Sequence, residues 1–113
     1  MIDSYSFGSM IINGQEYRSD IIVLPGSIVA DWRRQNGHLL LFTDIEEYFE
    51  VLPNVLVVGT GRFGMMRVDQ DLREIFRSQN KSVVAERTHA AWKTFNRYLD
   101  AGISEVGAFH LTC

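Results

Sequence analysis

The chain has 113 residues, 46% hydrophobic and 12% aromatic, which predicts one folded domain over residues 1–113 and argues against a disordered chain. Its net charge is −3, so nucleic acid is not an expected partner, because that affinity rests on a basic face. The single cysteine, Cys113, excludes an internal disulfide and an all-cysteine metal site.

A lone cysteine fits a reducing compartment. Residues 1–5 lack the basic and apolar regions of a leader. No apolar run approaches the ~18 residues of a membrane span. These features predict a soluble cytoplasmic domain that does not span a membrane.

In chain order, residues 7–12 and 15–24 flank Asn13-Gly14, the dipeptide best suited to a two-residue hairpin turn. Ile21, Ile22, Val23 and Leu24 are apolar on both faces, so the second arm runs into a covered part of a sheet, and Pro25-Gly26 ends it. Residues 28–34 alternate, with Ile28, Ala30 and Trp32 opposite Asp31 and Arg33. With Asn36-Gly37 and residues 38–42, that alternation suggests a second hairpin; a short helical turn at Ser27 is the alternative. Thr43 and Glu46 form a capping box, and Ile45, Tyr48, Phe49 and Leu52 fall on one helical stripe. Asp44, Glu46, Glu47 and Glu50 read as the solvated face of that helix.

After Pro53-Asn54 comes a uniformly apolar strand, residues 55–58. Asp69 is the expected N-cap of the next helix, with an Asp69/Arg73 ion pair and an apolar face including Leu72, Ile75 and Phe76. Val83, Val84 and Ala85 make another buried strand. Thr88 is the expected cap of the last helix, where Ala91, Phe95, Tyr98 and Leu99 repeat at helical spacing. Gly102 fits its left-handed C′ position. Residues 105–112 form the final strand. Strands alternating with helices in this half predict parallel pairing with right-handed crossovers. The whole is therefore an α/β fold with a mixed sheet, N-terminal hairpins preceding a βαβαβ unit.

Gly59-Thr60-Gly61-Arg62-Phe63-Gly64 matches the dinucleotide fingerprint G-x-G-x-x-G, with Glu86 at about the distance of a ribose-binding acid. Three features count against a dinucleotide. Met65-Met66-Arg67-Val68 delay the helix, whose amides should begin within the glycines to face a pyrophosphate. Asp69 and Asp71 would repel an anion there. The chain has room for about one mononucleotide half. No cofactor is expected. The glycines allow a tight exit from a buried strand and close backbone approach. A softer reading remains: the amides of Thr60 and Gly61, on the Gly59 turn, with Arg62 and Arg67, are candidates to hold a small anion or a partner's carboxylate.

His38, His89, His110 and Cys113 show no metal-ligand spacing, so no metal site is expected and the histidines read as structural. Cys113 lacks a preorganised partner for nucleophilic work, and no nucleophile elbow or isolated carboxylate pair stands out. Trp92 and Phe95 read as core. No catalytic residue is identified, so the chain is not expected to be an enzyme.

The run Tyr5-Ser6-Phe7-Gly8, then Ile12-Asn13-Gly14 and Tyr17, Trp32 with Gly37-His38, and Val58-Gly59-Thr60-Gly61 carries a resemblance. It continues through Thr88, Ala91 and Asn96 to His110-Leu111-Thr112-Cys113. Over nearly its whole length the chain resembles a small, functionally uncharacterised single-domain family of bacteria and archaea. That family also includes a mitochondrial respiratory complex I assembly factor and an adipogenesis-associated Mth-type domain protein of animals. The resemblance implies a three-layer fold with a mixed sheet of about five strands and an extra β-hairpin layer, and no established catalytic residue or cofactor. It also makes a non-enzymatic interaction or assembly module the leading expectation, with a protein partner, and an anion-binding glycine turn the alternative.

Overall fold

The computed structural model describes residues 1–113. The N-terminal layer is a three-stranded antiparallel sheet of β1 (Ile2–Ser6), β2 (Ser9–Ile12) and β3 (Gln15–Tyr17). Asn13 and Gly14 join β2 to β3 with φ of 49° and 83°, both in the left-handed region that a type I′ turn requires. Strand β1 escapes the sequence pattern because three of its five residues are exposed. The second hairpin arm divides: β3 stops at Tyr17, and β4 (Ile21–Leu24) belongs to a different sheet.

That second sheet is mixed and has five strands, in the order β5 (Ser27–Val29), β4, β10 (Glu105–His110), β7 (Val55–Thr60) and β9 (Ser82–Glu86). Strands β7, β9 and β10 pair in parallel, while β4 runs antiparallel to β10 and β5. Helix α1 (Gln70–Ser78) connects β7 to β9, and α2 (Thr88–Asp100) connects β9 to β10. This is the expected βαβαβ unit, with β7 between β9 and β10, and β10 is the middle strand of the five.

One face of the five-stranded sheet carries Val23, Val57 and Phe109, packed against Phe95 of α2 and Ile2, Met10 and Ile12 of the N-terminal sheet. The other carries Ile22, Leu56, Val58 and Ala108 against Leu72 and Phe76 of α1 with Trp32, Leu40 and Ile45. Burying one such large side chain stabilises the fold by about 1.5–3 kcal/mol, so both faces contribute to the core. Phe95 meets Phe109 edge-on at 5.8 Å, which matches the expected core role of Phe95.

Residues 30–52 depart from expectation. The alternation at 28–34 yields only β5, because Asp31 adopts a φ of 54° and the Trp32 amide turns to the Asp20 carbonyl. Asn36-Gly37 makes no hairpin; it supports a single bridge from Asn36 to Leu39, and β6 (Leu39–Leu40) pairs in parallel with β8 (Arg67–Val68). The expected helix from Thr43 is two separate 3₁₀ turns, Phe42–Asp44 and Glu46–Tyr48. The Asp44 carboxylate accepts the amides of Leu41 and Gln35, and Ile45 at φ −130° interrupts the helical path. Helix α1 does follow Asp69, but Asp69 makes no side-chain cap bond, and the helix's ion pair joins Arg77 to Glu74 rather than Asp69 to Arg73. Thr88 is the first residue of α2 instead of its cap. Gly102, at φ 72°, ends α2 as expected, with the Ile103 amide reaching the Tyr98 carbonyl.

Candidate functional site

The glycine turn leaves the sheet at the C-terminal end of β7. At Gly59 a Cβ would lie 2.8 Å from both Phe109 Cδ1 and Thr88 Oγ1, so the missing side chain admits the first turn of α2. At Gly61, where φ is 102°, a Cβ would fall 2.5 Å from the Cys113 carbonyl oxygen and 2.8 Å from His110 Cδ2. The glycines therefore accept a helix on one side and residues 111–113 on the other. The Thr88 hydroxyl accepts the Gly61 amide at 2.9 Å and donates to the His110 carbonyl at 2.6 Å, joining turn, helix and strand.

Most other amides of the turn are engaged within the chain, that of Phe63 excepted. Arg62 N donates to Thr112 O at 2.7 Å, Met65 N to Cys113 O at 3.0 Å and Met66 N to Thr60 O at 3.1 Å. The Thr60 hydroxyl donates to Glu86 O. Glu86 itself accepts from the Thr94 hydroxyl at 2.6 Å, so the acid spaced like a ribose ligand has an internal partner. Arg62 and Arg67 have exposed side chains that enter no ion pair of the structure. Gly59, Thr60, Gly61 and Arg62 are contiguous on the turn; Arg67 stands on β8, paired with Leu39 and next to Met66, whose amide bonds Thr60 O.

Beneath the turn lies a polar cluster that local sequence patterns do not reveal. Asp20 precedes β4, Arg34 comes from the irregular segment after β5, and His110 ends β10. Asp20 Oδ2 lies 2.8 Å from both Arg34 Nη1 and His110 Nδ1, and Oδ1 accepts the Leu111 amide at 2.8 Å. Arg34 also donates through Nη2 to Gly37 O and stacks over the Trp32 ring, 4.8 Å from its centroid. Only 4% of the Arg34 side chain is exposed. Burial alone would raise the Asp20 carboxyl; hydrogen bonds from His110, the Leu111 amide and Arg34 outweigh it and hold the group below its usual value.

The proton on His110 Nδ1 follows from its carboxylate partner. This is the orienting half of an acid–base pair, but Nε2 is buried with no partner, so no nucleophile completes it. The cluster instead ties three distant segments together. Its sequence signals are slight: a polar residue at the border of each of two apolar strands, and the Arg33-Arg34 pair. No group of three or more His, Cys, Asp or Glu side chains is arranged to hold a metal ion, and no helix is long and apolar enough to cross a membrane.

The outer surface of this end carries three exposed apolar side chains. Phe7, at the β1–β2 turn, is 54% exposed, and Phe63 and Met65 of the glycine turn are 60% and 52% exposed. The Phe7 and Phe63 rings approach to 6.4 Å between centroids. Tyr5 anchors the neighbouring backbone by donating its hydroxyl to Leu111 O at 2.8 Å. Burial raises the Tyr5 phenol, with Arg62 pulling it down and Asp20 and Cys113 adding to the rise.

Fold and site together define a three-layer mixed α/β protein whose glycine turn is closed by its own helix and by residues 111–113. Residues 2–110 match a family described as a protein of unknown function (DUF498/DUF598), and the chain belongs to that family. It is similar to PH1505, a conserved hypothetical protein from Pyrococcus horikoshii OT3, at 27% identity and a TM-score of 0.82. That likeness covers 100% of this chain and 99% of the other. It is similar to the protein MT938 at 31% identity and a TM-score of 0.81, covering 100% of this chain and 98% of that one. A Bordetella pertussis protein described as an Mth938-like domain shares the fold at 20% identity and a TM-score of 0.77, over 98% of this chain and 85% of that one. The family suggested by the sequence motifs is thus the family found.

Proposed function

We propose that the chain is a non-enzymatic protein-interaction module that docks through the joined tips of the β1–β2 turn and the glycine turn. The observation carrying this reading is the exposed, touching pair Phe7 and Phe63, extended by Met65. Aromatic and methionine side chains are over-represented at the centres of interfaces. Arg62 beside the patch suits a partner segment with an apolar centre and an acidic neighbour. The resemblance to a family that includes an assembly factor supports the same class of role.

The test is crosslinking and affinity capture from the source cells with the full chain and with the double variant Phe7→Ser/Phe63→Ser. A specific partner should be recovered by the first and lost by at least tenfold with the second, while the melting temperature stays within a few degrees. Equal recovery by both, or none above background, overturns the proposal.

A second reading is favoured by the two unpaired guanidiniums: a small-anion site at Gly59, Thr60, Gly61, Arg62 and Arg67. The internal engagement of the Gly61 and Arg62 amides leaves it to rest on side chains. In a thermal-shift panel of nucleotides, phosphate and carboxylates, a ligand at 100 times its Kd should stabilise by about 2.7 kcal/mol. Arg67→Ala should abolish that effect, and a silent panel removes this reading.

A further inference from the structure

At the opposite end of β10 from His110 lies a groove of about 840 Å³. Its floor is the start of β10 and Val23 of β4; Phe95 of α2 and Ile103 form one wall, and Ile2 and Ile12 of the N-terminal sheet form the other. The volume lies within the ~300–1,000 Å³ of typical small-molecule sites. Ten of its seventeen lining residues are hydrophobic, and none is Lys, Arg or His.

Among those residues is Glu105. Residues 105, 107 and 109 alternate with 106 and 108 along β10, so Glu105 shares the face of Phe109, toward α2 and the N-terminal sheet. Glu105 is 5% exposed, and both of its carboxyl oxygens are buried without a hydrogen-bond partner. An ionised carboxylate in that position would have neither counter-ion nor donor, which is a large cost. The group therefore keeps its proton: burial pushes it from the ordinary 4.5 up to about 8. At neutral pH the groove's lining therefore holds an O–H donor with nothing to accept it, its oxygens covered by neighbouring side chains that a ligand must displace.

We propose that this groove binds an apolar small molecule carrying a neutral hydrogen-bond acceptor, of which a carbonyl oxygen is the simplest, with the Glu105 carboxylic acid donating to that oxygen. Such a ligand supplies the missing partner and leaves no buried charge. An alkylammonium would require an ion pair to be desolvated in an apolar groove, a poor exchange against neutral partners. A carboxylate ligand would find no cationic side chain there, only the Met1 amine at the exposed N-terminus. The other titratable groups on the groove are the phenol of Tyr17, from β3, and the amine of Met1, which is bonded to Asn13 Oδ1; α2, β4 and β5 contribute none.

The test is a two-dimensional amide NMR titration of the full chain with 2-decanone, and with decylammonium and decanoate as controls for the head group. At pH 6.5 the ketone should shift the amides of residues 102–105, Leu24 and residues 26–28, and bind at least tenfold more tightly than either control. Raising the pH to 9 should weaken ketone binding by at least tenfold as Glu105 ionises. Glu105→Gln keeps an N–H donor and should bind the ketone equally at both pH values. Glu105→Leu should lose at least tenfold in affinity. The wild-type pH series needs no variant, so the proposal stays testable if a substitution impairs folding. Absence of groove shifts at the solubility limit of the ketone, equal affinity for the three head groups, preference for decylammonium, or full binding by Glu105→Leu would each overturn it.

Discussion

Glu105 also makes a demand on stability that can be measured without any ligand. Its carboxyl rises from 4.5 in an ordinary setting to about 8 in the folded chain, so the folded state holds this proton more tightly than the unfolded state does. Below pH 4.5 both states are protonated and no penalty arises. As the pH climbs toward 8 the unfolded state ionises first, and stability falls. Above about 8 the penalty is complete. At about 1.4 kcal/mol per pH unit the full effect is capped near 5 kcal/mol; relaxation of the side chains over the carboxyl on ionisation reduces it to about 2–3 kcal/mol. Urea unfolding at pH 5, 7 and 9 should show the wild type losing stability by that amount relative to Glu105→Gln, whose amide does not titrate. Glu105→Leu, which removes the unpartnered donor, should gain most over the wild type at pH 9. Parallel stability curves for wild type and Glu105→Gln across this range would refute the reasoning.

Two further substitutions probe the closed glycine turn and the cluster beneath it. Gly61→Ala places a Cβ against the Cys113 carbonyl group and the His110 ring at a φ of 102°, and should cost about 2–4 kcal/mol in chemical denaturation; an unchanged midpoint would contradict the packing described. Asp20→Asn leaves the buried Arg34 without its counter-charge and should cost about 3–5 kcal/mol near neutral pH. Because the Asp20 carboxyl is held below 3.8, its contribution is present above that pH and lost as the pH falls through the lowered folded value. The wild-type advantage over Asp20→Asn should accordingly shrink below about pH 4, and a constant difference down to pH 2 would count against the assignment.

Local chemistry was legible where it was self-sufficient. Asn13-Gly14 specifies its turn through two residues tolerant of positive φ, and Gly102 ends α2 for the same reason. The βαβαβ half follows from short apolar strands separated by helices with one apolar face. Residues 30–52 failed because their conformation answers to distant partners. Arg34 bends inward to reach Asp20 and His110, which cancels the strand suggested by the alternation around Trp32. The Thr43 capping box was overridden by Asp44, whose carboxylate takes the amides of Gln35 and Leu41 instead. Glu105 gave no signal at all. A single acid at a strand border reads as surface, and only the three-dimensional layering shows that its face is covered.

The two ends of β10 resolve the same physical problem in opposite ways. At His110 the fold brings Asp20 to the imidazole, Arg34 to the carboxylate and Trp32 to the guanidinium, so the charges introduced into the interior compensate one another. At Glu105 no residue of the chain supplies a partner, although the neighbouring side chains exclude water from both oxygens. Folding energetics alone favours the first solution or an apolar residue; a leucine would fill the position without the desolvation cost. A carboxyl left with neither oxygen partnered, on the most buried strand of the sheet, is the kind of local inconsistency that a binding requirement leaves on a fold. The open groove above it supplies the volume such a requirement needs. The glycine turn, for all its resemblance to a cofactor signature, receives α2 and residues 111–113 against its backbone, while the groove of about 840 Å³ lies at the other end of the strand.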